Sequence, residues 1–151
     1  MQSTVTQYGP VAFAGLMDGV ANPQNVRSYS AEAAVGMARA VMLGTNKDKQ
    51  VLHATTGAAA VGFAIHDHAR EQSSAGVVQY AAKEAVSVLN MGRFWCETNN
   101  AVAAGAVANL VVATGKLTDE AVTAGTEAFT QVSVRFITST TGAGLAIVEV
   151  K

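Results

Sequence analysis

The sequence predicts an all-β fold: a compact β-barrel or jelly-roll-like sandwich of short strands behind a loop-rich N-terminal arm. Two observations lead there. Short runs alternate apolar and polar residues, the period of a half-buried strand. Turn signals rich in Gly, Asn and Asp break those runs at frequent intervals. No βαβ alternation and no long helical pattern competes with this reading, although the Ala-rich stretches have helical propensity.

The elements follow in order. Residues 1–25 show no sustained period and carry Gly9-Pro10, Asp18-Gly19 and Asn22-Pro23, which mark turns and loops. Inside this arm sits an apolar group, Val11, Phe13, Leu16 and Met17. Two readings stay open: the segment folds onto its own domain, or it docks those side chains on a neighbouring subunit. Residues 26–151 form a single β domain. Residues 26–30 look like its first strand. Residues 35–43 and 50–54 flank the polar turn GTNKDK and read as a hairpin. A strand follows at 59–66, an exposed loop at 68–77 and a short strand at 78–80.

Residues 85–98 (AVSVLNMGRFWCET) read as a central hairpin, with Asn90-Met91-Gly92 as its turn. Strands are expected at 109–113 and 116–118. Thr118-Asp119-Glu120 has the form of a helix cap, although Gly125 keeps any helix short. Alternation returns in QVSVRFIT at 131–138, and GLAIVEV at 144–150 closes the chain.

The chain has 151 residues, the length of one domain, and half of it is hydrophobic, with the excess in Ala and Val. The net charge is −1 and no basic run occurs. Binding driven by phosphate neutralisation needs clustered Lys and Arg, so nucleic acid is not an expected partner. A weakly charged surface also gives little protection against self-association. One cysteine rules out an intrachain disulfide. The opening MQSTVTQYGP lacks the basic-then-apolar order of a signal peptide. No apolar run reaches the roughly 18 residues of a membrane helix, so no membrane association is expected.

Chemistry-bearing clusters are few. In a strand, His66 and His68 of His66-Asp67-His68 share a face, and with a third ligand such as His53 they suit a transition metal. The simpler reading is a polar strand end entering a loop. Cys96 falls in alternation with Phe94, which marks it as a small buried residue rather than a nucleophile. No nucleotide loop, nucleophile elbow or zinc-protease motif appears, so neither catalysis nor a cofactor is expected. Trp95 and Tyr80 offer rings for stacking on a sugar, which keeps a small carbohydrate-binding module as an alternative.

The segments YGPVAFAGLMDGVANPQNVRSY, AVGFAIHD, VSVLNMGRFWCET, ANLVVATGKLT and GLAIVEV, in this order and spacing, resemble the capsid cement (head decoration) proteins of tailed bacteriophages. The resemblance implies a non-enzymatic virion protein on the outer surface of an icosahedral phage head. It would be made in the bacterial host cytoplasm and bind the major capsid protein. Members of that family work as dimers or as trimers; the flat, small-residue surfaces that the composition suggests and the abundance of three-fold axes in icosahedral lattices favour a homotrimer over a homodimer. The candidate contact residues are Phe13, Leu16 and Met17 in the arm, Lys47 and Lys49 in the polar turn, and Arg70 in the 68–74 loop. Another virion β protein, such as a tail tube or fibre subunit, is the second alternative.

Overall fold

The computed structural model describes residues 12–18, 24–66 and 78–151. Asp67, His68 and Arg70 lie outside them, and with them the loop expected at 68–77. Twelve strands make up the described fold: β1 (Asn25–Ala31), β2 (Val35–Gly36), β3 (Ala40–Leu43), β4 (Gln50–His53), β5 (Gly62–Ala64), β6 (Gln79–Tyr80), β7 (Ala85–Glu97), β8 (Asn109–Val111), β9 (Leu117–Thr118), β10 (Thr126–Ala128), β11 (Val134–Phe136) and β12 (Leu145–Val150). No helix occurs among the described residues. The cap-like Thr118-Asp119-Glu120 instead ends β9, where the Thr118 hydroxyl accepts from Glu120 N at 3.1 Å.

The expected central hairpin is a single strand. β7 runs unbroken for 13 residues. What looked like a turn is a bulge: β1 pairs Val26 with Leu89 and Asn25 with Met91, skipping Asn90. A bulge adds one residue to one strand and shifts which side chains face inward. Before it, Val86 and Val88 face one core while Leu89 faces another; after it, Phe94 and Cys96 enter the core that holds Leu89. Gly92, at φ +135°, supplies the backbone conformation that L side chains rarely adopt. Sequence alternation alone does not separate a turn from a bulge, because both use Gly and Asn.

This bent strand joins two layers. Its first half pairs with both β1 and β5, and the order β1-β4-β3-β5-β7 returns to β1, closing a barrel. Within this barrel the β1–β4 contact is parallel and the others are antiparallel. The barrel interior holds Ala31, Val41, Val51, Ala64, Val86 and Val88, with Val35 and Tyr80 from the β2–β6 ribbon plugging it. The small, branched side chains fit a narrow bore. The Tyr80 hydroxyl donates to Ile65 O at 2.7 Å, so its buried polar tip is satisfied.

The second half of β7 leaves the barrel and continues the sheet through β12 and β11. The inner face of this extension and the β10-β8-β9 sheet enclose the larger core. Phe63 sits where the barrel wall meets that core, with ring centroids 4.9 Å from Phe94 and 5.4 Å from Phe129.

His53 at the end of β4 ties the barrel to its ribbon by accepting from Gly36 N at 2.9 Å through Nε2. Burial of that ring and the charge of Arg39 lower its pKa below 6.5. The folded state therefore prefers the neutral ring. This stabilisation is complete above pH 6.5 and is lost as pH falls toward the folded pKa. Melting temperature is expected to drop between pH 7 and pH 5 more steeply in the natural chain than in His53→Gln, as thermal scans across that range would record.

Candidate interaction surface

The outer face of the sheet extension carries the most organised surface of the described molecule. Its inner residues are Phe94 and Cys96 on β7, Ala146 and Val148 on β12, and Phe136 on β11, all buried. Alternation sends the residues between them outward. The described arm completes the sheet. Gly15 N donates to Trp95 O, Trp95 N to Leu16 O, and Asp18 N to Arg93 O, at 2.8, 2.8 and 3.0 Å. Met17 bridges to Phe94 and packs on the core, which turns Leu16 and Asp18 outward. Gly15 makes this approach possible: it has φ +85°, and a Cβ there would lie 2.8 Å from His66 N.

Two rows result. Trp95 pairs with Ile147, Ile137 N donates to Ile147 O, and Leu16 lies on the other flank of Trp95. The row Leu16–Trp95–Ile147–Ile137 is apolar, and each member is half-buried. Beside it, Arg93 pairs with Glu149, Glu149 with Arg135, and Asp18 bonds to Arg93 through the backbone. The row Asp18–Arg93–Glu149–Arg135 therefore alternates in sign. Arg93 Nε donates to Glu149 Oε2 at 2.9 Å, and Lys151 Nζ lies 3.0 Å from Oε1. Hydrogen bonds from Lys151 and Arg93 hold the Glu149 carboxyl below its ordinary pKa of 4.5. Antiparallel sheets usually present polar residues to solvent on one face. An apolar row holding the chain's only Trp departs from that pattern.

The other candidates are dispersed. The Phe13 ring meets His66 edge-on at 4.5 Å and lines a cleft of about 400 Å³ with Met37, Arg39 and Glu97. Lys47 and Lys49 are exposed in the β3–β4 turn. Glu32 braces that turn, accepting from Thr45 N and Thr45 Oγ1 at 2.7 Å each. Among the described residues no group of three His, Cys, Asp or Glu could hold a metal ion. His53 accepts from Gly36 while His66 packs on Phe13, so the two described histidines have separate roles. Tyr80 plugs the barrel and leaves Trp95 without it as a second stacking ring. Cys96 is 1% exposed, and burial pushes its thiol up to about 12. A thiol reagent such as DTNB is expected to leave it unmodified in the native chain and to titrate one thiol after denaturation.

Sequence reading named Phe13, Leu16 and Met17 as contact candidates and did not bring out the two rows. Their outward members were visible on each strand. Only the pairing of β7 with β12 and the arm brings them side by side.

Over its full length, residues 1–151, the chain matches the family described as structural cement protein (E217 gp24/Pam3 gp6). The chain belongs to this family. It is thereby a structural, non-enzymatic component of a bacteriophage virion. A solved structure, the capsid of Myoviridae phage XM1, contains a chain with the same fold: TM-score 0.72 and 18% identity, covering 99% of this chain and 96% of that one. A search of curated protein sequences returned no match.

Proposed function

We propose that this cement protein binds the outer surface of an icosahedral phage head and stabilises the expanded capsid by gripping several major capsid proteins at once. The end-to-end family match carries this reading. The mechanism is multivalency: once one contact forms, the others become intramolecular, and the combined grip rises by roughly 10²–10⁴. Individually weak contacts then suffice, as a small, weakly charged domain requires. Residues 1–25 act as an arm, with Phe13, Leu16, Met17, Lys47, Lys49 and Arg70 as contact candidates. An oligomer seated on a local symmetry axis would multiply those contacts. Composition favours a homotrimer there, with a homodimer second.

The test adds purified protein to expanded heads lacking it, followed by cryo-electron microscopy and heat challenge. Ordered density at local symmetry axes with raised heat resistance supports the reading. Bare heads with unchanged heat resistance refute it and direct attention to the tail.

A further inference from the structure

The geometry points to a self-association site on the outer face of the sheet extension, where two copies meet about a two-fold axis parallel to the strands. A closed two-fold contact sets the same patch against itself, so the patch must be self-complementary. The charged row reads minus, plus, minus, plus from Asp18 through Arg93 and Glu149 to Arg135. An axis along the strands, between β7 and β12, reverses the row in the second copy. Asp18 then faces Arg135 of the partner subunit, and Arg93 faces Glu149 of the partner subunit. All four positions oppose the opposite sign.

The same rotation keeps the apolar row facing itself, with Trp95 against Ile147 of the partner subunit. An in-plane axis across the strands instead sets each charge against its own kind, an arrangement that like-charge repulsion disfavours. The pattern therefore selects an occupant and an orientation together. Sheets related in this way pack aligned, about 10 Å apart and within ~30°.

Four members at a strand spacing of ~4.8 Å span roughly 14 Å, which places the contact at the small end of specific interfaces. The apolar row and Trp95 supply the desolvated centre, and the charges supply register. The occupant is a second copy, making a homodimer rather than the trimer that composition favours.

The experiment uses the purified full chain without capsids, so it stands apart from head binding. Sedimentation velocity over a dilution series up to high concentration gives the mass, and emission from the single Trp reports the site. A concentration-dependent dimer with a blue-shifted Trp95 is expected. Arg135→Glu and Asp18→Lys should each weaken it by about tenfold or more, the equivalent of about 1.4 kcal/mol, because each substitution acts twice across the axis. Combining D18K with R135E restores opposite signs and should recover most of the affinity.

Within one chain these two residues are three strands apart, so recovery reports a contact between copies. Thermal melting shows that each variant is folded; Arg135→Ala and Asp18→Asn are the milder pair. A chain monomeric at every concentration, a trimer mass, or a double variant weaker than either single one overturns the proposal. So does a monomer whose decoration of heads is blocked by R135E, which assigns this face to the capsid protein.

Discussion

Phe63→Ala is expected to lower the stability of the folded chain by about 3–5 kcal/mol, the range for truncating a fully buried Phe. Phe63 has no exposure and packs against Phe94 and Phe129. In register it faces Ala40 on β3 and Leu89 on β7. It therefore belongs to the barrel wall and to the larger core at once, and no neighbouring element can slide in to fill the space without breaking a pairing of β5. For a domain of this length the loss corresponds to a fall of roughly 6–20 °C in melting temperature. Native domains hold about 5–15 kcal/mol in total, so the variant keeps little reserve. Urea or thermal denaturation measures the shift, and a change under about 2 °C would show that Phe63 does not couple the two layers. Phe63→Leu, which keeps most of the volume, should cost markedly less.

The same region shows what the sequence could and could not reveal. Alternation exposed the inward and outward residues of the last strand and of residues 131–138, because side chains there keep a strict period of two. It also marked the β3–β4 hairpin, where a polar turn separates two apolar runs. At Asn90-Met91-Gly92 it misled: a bulge and a turn call for the same residues, and only the partner strand tells them apart. β1 is that partner, and it lies more than sixty residues upstream of the bulge. The candidate surface was hidden for a related reason. Arg93, Glu149 and Asp18 are each ordinary outward residues on their own segments, and their alternation in sign exists only across strands. Trp95 stood out as the single Trp, yet its apolar neighbours Leu16, Ile147 and Ile137 come from three distant stretches.

Removing residues 1–18 is expected to destabilise the domain itself as well as any contact that the arm makes with other proteins. An arm that served only a neighbour would leave an intact fold behind. Here residues 15–18 donate and accept along the free edge of β7, and Met17 with Ala14 packs on the larger core. The arm and β1 cover one edge of β7 in succession, Asp18 beside Arg93 and Asn25 beside Met91. Deletion leaves the Arg93–Trp95 stretch of that edge unpaired, and an open edge next to apolar side chains invites pairing between chains. Loss of the half-buried Met17 and of four backbone hydrogen bonds, three to β7 and one from His66 N to Gly15 O, should together cost about 3 kcal/mol or more. The truncated chain should melt at least ~6 °C lower and aggregate on concentration. Gly15→Val separates the two roles of the arm, since it keeps every other residue while its backbone angle and the 2.8 Å approach to His66 N oppose the docked position. Lowered melting temperature in both variants ties the arm to its own sheet. An unchanged melting temperature in the truncation, with loss of head binding alone, would make the arm a docking element for a neighbour.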